Sequence, residues 1–136
     1  MFLRKATPED ANAVLALWKT AEASESVTDS ENEVRRISTR ENVAFILAVI
    51  DGRIVGSIIA AFDGWRANMY RLATHPACRR QGVARALVKD AEKAIAEWGA
   101  KRVTALVDKD HAWAVHFWEA VGYARDEKWS RHVRNL

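Results

Sequence analysis

One helix separates two strands in the middle of this chain, and that spacing fixes how the strands can lie. Residues 69–74 and 102–107 read as strands. Between them, residues 82–98 carry apolar side chains at Val83, Ala84, Leu87, Val88, Ala91, Ala94, Ile95 and Trp98, the period of an amphipathic helix. Gly99 follows, where a helix C-terminus favours glycine. Two strands joined through one helix pair in parallel by a right-handed crossover, so the chain is expected to be α/β around this unit.

The rest of the chain builds outwards from it. Residues 43–50 are a continuous apolar run, and residues 53–61 are rich in Ile and Val. Asp51-Gly52 between them suits a two-residue hairpin turn, in which both positions need positive φ. Residues 2–6 read as a short strand ended by Thr7-Pro8, which starts a helix striped by Ala11, Val14, Leu15, Leu17 and Trp18. Residues 24–30 are loop-like, and residues 30–40 form a surface helix with a thin apolar face at Val34 and Ile37. Residues 112–121 are the last helix, with a final strand expected around residues 129–133. The expectation is one domain over residues 1–136, with about six strands and about four helices.

Composition narrows the function classes. With 49% hydrophobic and 29% charged residues, the chain is too apolar for disorder and too charged for a membrane protein. No stretch approaches the roughly 18 consecutive apolar residues of a spanning helix. Arg4 and Lys5 stand where a signal peptide needs its apolar region, so a cytoplasmic setting is expected. The single cysteine, Cys78, has no internal partner, and no Cys/His cluster has zinc spacing, so no metal is expected. The net charge of +3 is unevenly placed: residues 1–68 carry 8 basic and 10 acidic side chains, residues 69–136 carry 13 and 8. A positive C-terminal half suits an anionic ligand.

That half contains Arg79-Arg80-Gln81-Gly82-Val83-Ala84, between the end of a strand and the start of a helix. The first N–H groups of a helix have no partner inside it, and the helix dipole adds roughly +0.5 charge there. Gly82 would let a ligand approach the backbone, and arginines beside it offer bidentate phosphate donors. The Walker-type loop is absent, and one glycine stands where a dinucleotide fingerprint needs three. On residue chemistry alone, the turn is either a phosphate site or an ordinary helix start.

The pattern Arg79-x-x-Gly82-x-Ala84, preceded by Leu72-Ala73-Thr74-His75-Pro76, resembles the acyl-CoA-binding motif of the GNAT superfamily of N-acetyltransferases. The order of elements from residue 2 to about residue 123 is similar to that fold. Phe117-Trp118-Glu119-Ala120-Val121-Gly122-Tyr123 looks like the family's late helix and its Gly-aromatic end. The resemblance implies a GNAT fold, classed α/β (α+β), with a mixed sheet whose middle strands splay around a bulge. It implies acetyl-CoA as co-substrate. The pantetheine arm would pair with the backbone of Leu72, Ala73 and Thr74, and the pyrophosphate would rest on Arg79, Arg80, Gln81, Gly82, Val83 and Ala84. The implied reaction is acetyl transfer to a primary amine by direct attack in a ternary complex. The acceptor would be a small-molecule or peptide amine, with a homodimer allowed, no membrane partner and nucleic acid disfavoured.

Three departures bear on chemistry. Trp118 stands where the family commonly has a Tyr that protonates the departing thiolate, and an indole N–H is no acid. A thiol of pKa near 8.5 leaving as thiolate at pH 7 forgoes at most about 2 kcal/mol. His111 stands where an Asn often bonds the pantetheine. The central strand has no Glu as general base, which leaves Tyr70, Asp63 or a backbone-held water. A lysine-like amine must lose about 3.4 pKa units, some 4.6 kcal/mol, whereas an α-amine costs about 1 to 1.4 kcal/mol. A non-catalytic acyl-CoA sensor of the same fold is the alternative, and an RNA-binding protein a third. Among the six tryptophans, Trp18, Trp98 and Trp113 read as packing, and Trp65 reads as an acceptor-pocket or subunit contact. His75, His116 and His132 read as structural or solvated, and Cys78 has no base to make it a nucleophile.

Overall fold

Residues 43–50 are apolar without alternation because both faces of the strand they form are covered. The computed structural model describes residues 1–136. In chain order the elements are β1 (Phe2–Lys5), α1 (Ala11–Thr20), α2 (Glu31–Ser38), β2 (Val43–Ile50), β3 (Arg53–Phe62), β4 (Ala67–Thr74), α3 (Val83–Glu97), β5 (Val103–Ala105) and α4 (Ala112–Ala120). The strands lie side by side in sequence order, antiparallel from β1 to β4. Only β5 runs parallel to its neighbour β4, with α3 as the crossover. No helix is long and apolar enough to cross a membrane.

Alternation along β2 divides the core. Ala44, Ile46 and Ala48 face α3 and α4, together with Ile58, Met69, Leu87 and Trp118. Phe45 and Leu47 face α1 and α2, together with Val14, Trp18 and Ile59. The β2–β3 turn has Asp51 and Gly52 at φ 50° and 75°, as its sequence demands. Ser30 caps α2 by accepting the Glu33 N–H at 3.2 Å. At the start of α1, Asp10 accepts the Thr7 N–H at 2.8 Å and pairs with Arg4 of β1 at 2.7 Å.

The strand count is a correction: there are five strands, because residues 129–133 join no ladder. The edge available to them, β5, is only three residues long, and it is flanked by Lys101 and Arg102. The tail is tied beside that edge only by the exposed pair of Arg102 with Asp126 at 3.4 Å. The expected strand 102–107 is shortened to Val103–Ala105 for a reason that matters to the site: the chain leaves β4 after residue 106. Trp98, expected in the core, caps α3 and is 38% exposed.

Gly56 in β3 sets the seating of α3. A Cβ added there would lie 2.7 Å from Val83 Cγ1 and 2.9 Å from Leu87 Cδ1. The first turn of α3 therefore rests on bare backbone, opposite Thr74 of β4 in the register. Substituting Gly56→Ala should overpack this contact and cost about 1–3 kcal/mol. Thermal unfolding should show a melting temperature several degrees lower; an unchanged value would mean that α3 does not sit this close.

Candidate functional site

The middle of the sheet carries one residue too many. Ile59 pairs with Tyr70 while Ser57 pairs with Ala73, so β4 spends three steps where β3 spends two. Arg71 is the inserted residue, at φ 55° in the left-handed region. The bulge lets two consecutive side chains, Tyr70 and Arg71, turn to the α1 side, while Leu72 returns to the α3 and α4 side.

Pairing with β5 ends at the same place. The parallel register runs Ala67 with Val103, Asn68 with Thr104 and Met69 with Ala105, and Leu106 N–H donates to Met69 C=O at 3.2 Å. Beyond that bond β4 keeps only its β3 partner. His75 N–H donates to Val55 C=O at 2.7 Å, so His75 and Ala73 point their backbone groups at β3. By alternation, the N–H and C=O of Leu72 and Thr74 point to the opposite edge, where β5 is missing. The strands part where the resemblance expected them to.

On the α3 and α4 face, a cavity of about 380 Å³ lies at the start of α3. Thr74, Arg79, Arg80, Gly82, Val83 and Ala84 line it, with Cys78 and Arg85 beside them. Gly82 caps the helix at φ 81°, and nothing stands within 4 Å of where its Cβ would be. Two buried polar atoms here have no partner, Thr74 Oγ1 and Arg79 Nε. Gln81 is exposed and turned back, its Nε2 donating to Ala77 C=O at 3.4 Å, so it offers the cavity no side chain. Ala73 is buried against α1, on the other face.

Helix α4 supplies the opposite wall, and here the sequence reading missed residues. Trp113, His116, Phe117 and Ala120 line the cavity at spacings of three and four, with Arg79 stacked over Trp113 at 5.4 Å. Read as packing or solvated, they form one helical face, and the His within that apolar stripe was the available signal. His111 caps α4, its Nδ1 accepting the Ala114 N–H at 3.3 Å, so Nε2 carries the proton of the neutral ring. Trp118 lies outside the 380 Å³ cavity. It is buried edge-to-face against Tyr123 at 4.7 Å and shares a second cavity with Leu106 and Val107, where β5 leaves β4. That larger cavity, about 1130 Å³, follows β5 beneath the tail and includes Trp65.

The candidate bases fare unequally. Burial, aided by the Asp63 charge and opposed by Arg131, raises the Tyr70 hydroxyl above its ordinary value, so it stays protonated near neutrality. The Asp63 carboxylate accepts the Arg66 and Trp65 N–H groups at 2.7 and 2.8 Å, which lowers its pKa and makes it a weaker base. Tyr123 offers no acid, because burial and the Glu92 carboxylate, 3.0 Å away, push its pKa far up.

On the α1 face, residues 24–29 form a strap held at both lips of the split. Arg71 Nη2 donates to both Asp29 oxygens at 2.7 Å, and its Nη1 donates to Ser24 C=O at 2.5 Å. Ser24 Oγ donates to Asp108 at 2.7 Å, past the end of β5. Below them Trp18 Nε1 donates to Ser57 Oγ at 2.9 Å, and Ser57 Oγ donates to Arg71 C=O at 2.8 Å.

The sequence profile of the acetyltransferase (GNAT) family matches residues 12–123. An acetyltransferase of Pectobacterium atrosepticum is 29% identical over 123 residues, 90% of this chain and 87% of that protein. Among solved structures, the aminoglycoside antibiotic 6'-N-acetyltransferase AAC(6')-IG of Acinetobacter haemolyticus superposes with a TM-score of 0.82 at 18% identity, covering 100% of this chain and 99% of the other. AAC(6')-Iy, in complex with the bisubstrate analogue CoA-S-monomethyl-acetylneamine, gives 0.81 at 14% identity, covering 99% and 98%. At these identities the two structures establish the fold.

The open space over Gly82 predicts the effect of filling it. Gly82→Val should weaken CoA binding at least about tenfold, or 1.4 kcal/mol, measured by calorimetry on folded protein. Arg79→Ala should weaken it less, because the backbone donors remain. Unchanged CoA affinity in Gly82→Val would place the phosphates elsewhere.

Proposed function

The chain belongs to the acetyltransferase (GNAT) family, and from that premise we propose that it acetylates a small molecule whose reactive amine titrates near neutrality. It is an acyltransferase that takes acetyl from acetyl-CoA and delivers it to an amine. One observation carries the site: two buried polar atoms without partners, Thr74 Oγ1 and Arg79 Nε, lie at one cavity beside the start of α3. Buried polar groups are almost always bonded, and a ligand with polar groups along its length would satisfy both.

Acetyl-CoA supplies a thioester carbonyl that an amine attacks directly in a ternary complex. The backbone groups of Leu72 and Thr74 would bind its arm along the edge that β5 leaves free, while Ala73 holds that segment to β3. Arg79, Arg80 and the backbone of Gln81, Gly82, Val83 and Ala84 would hold its phosphates. Trp113, His116 and Phe117 would wall the cavity from α4. His111 would donate from Nε2, and Trp118 would exclude water near the split. The rate would come mainly from positioning the amine.

The acceptor class rests on acid–base arithmetic. With the Tyr70 hydroxyl neutral and Asp63 tied into its turn, neither of these candidates is poised to deprotonate a strongly basic amine. An amine of pKa near 8 costs about 1 to 1.4 kcal/mol to deprotonate at pH 7, against about 4.6 for a lysine. The aminoglycoside enzymes among the structural neighbours are consistent with a small-molecule acceptor. The single sheet from β1 to β5 supports one catalytic domain over residues 1–136. A homodimer would find apolar surface in Trp65 and Trp129, 77% and 71% exposed. The lone thiol of Cys78 and the CoA donor suit a cytoplasmic setting.

Thiol release from acetyl-CoA, followed against a panel of amines, tests this reading. The best acceptors should be small amines, and kcat/KM should rise along one limb that follows the amine's own pKa. Binding of acetyl-CoA with no turnover on any amine would favour the sensor alternative. Trp118→Tyr should change kcat by less than tenfold either way, since restoring an acid gains at most about 2 kcal/mol, a factor of about thirty, offset by lost packing. An inactive parent converted to a robust enzyme by that one change would overturn the absence of a needed acid.

A further inference from the structure

We propose that Arg71 is a positioning residue for the acceptor, holding the strap of residues 24–29 in register with the free edge of β4. The inference rests on the proposed function, in which that edge carries the donor, and on the amine reaching it from the face of β4 that the strap covers. Several independent features meet at this one side chain. Its backbone is the left-handed insertion that turns β4, so the kink and the guanidinium share a single Cα. Because of the insertion, the side chain points to the face opposite the phosphate cavity. There it is only 15% exposed and lies over the Trp18 ring at 5.0 Å.

Each hydrogen bond its side chain makes goes to the strap. Both Asp29 oxygens and the Ser24 carbonyl accept from it, and Asp29 in turn accepts the Ser26 N–H at 3.0 Å, closing the strap on itself. The far lip of the split holds the same strap through Ser24 and Asp108. The Arg71 carbonyl is fixed by Ser57, which is fixed by Trp18. An ion pair this shielded is more than a surface pair, since a fork with two acceptors at fixed geometry sets a distance as well as a charge. The strap is thus gauged from the strand segment that would bind the donor, and an error of about 1 Å at such a place costs on the order of a hundredfold in rate.

Arg71→Gln and Asp29→Asn remove the fork while keeping side-chain size, and Arg71→Lys keeps the charge without the fork. Kinetics with an amine that the unmodified enzyme turns over should show kcat/KM for the amine down about tenfold or more in the first two. Acetyl-CoA affinity by calorimetry should be unchanged, Arg71→Lys should recover part of the loss, and the double variant should be no worse than the poorer single one. Amine kinetics unchanged in both single variants would overturn the proposal, as would acetyl-CoA affinity falling in step with them, which marks a merely structural pair. If the unmodified protein turns over no amine, the functional premise fails and hydrogen exchange judges the clamp: residues 24–29 should lose protection in Asp29→Asn, and equal protection would overturn it.

Discussion

The structure depends on a single extra residue in β4. A strand in the middle of a sheet is bonded on both sides, and a site cut into it must free one side without losing the other. The insertion at Arg71 does this. Pairing to β3 resumes after it, from Ala73 with Ser57 to Thr74 with Gly56, while pairing to β5 stops at Met69 and Ala105. The strained backbone is held by a carbonyl bond to a fully buried Ser57, itself tied to a buried Trp18. A left-handed residue that is neither Gly nor Asn persists only when its surroundings over-determine it, and here they do.

Much of the frame was legible in the sequence because its signals are local. The Asp51-Gly52 turn, the single helix between two strands and the glycine before Val83 each act through a few neighbouring residues, and the fold keeps all three. Gly56 was passed over, although an isolated glycine inside an Ile- and Val-rich strand is a sign of close backbone approach. The bulge was implied by resemblance alone, since arginine carries no preference for positive φ. The Arg71 pair with Asp29 joins residues 42 apart in sequence and left no local trace. The last strand failed for a different reason: only Trp129 and Val133 in that stretch are apolar, so it has no period-two pattern, and its partner edge is three residues long.

The Arg79–Ala84 turn and the strap lie on opposite faces of the same strand. On one face Thr74 and Arg79 have unspent polar atoms; on the other, the polar groups of Arg71, Ser57 and Trp18 are bonded to one another. A buried network whose members are bonded resists deformation, whereas buried polar atoms without partners are costly to leave so. The site therefore combines a rigid side and a receptive side across one backbone. No dedicated acid or base is required of it if the chemistry it performs is already close to downhill at neutral pH.

The brevity of β5 reaches beyond the site. Exposed strand edges are templates on which further chains can add, and long flat ones drive aggregation. This sheet ends on three residues at one side and four at the other, with Arg4 and Lys5 in β1 and Lys101 and Arg102 beside β5. Two molecules approaching edge to edge would meet over ladders only three or four residues long. The same truncation that leaves the groove along β5 open thus offers an incoming strand little backbone to pair with.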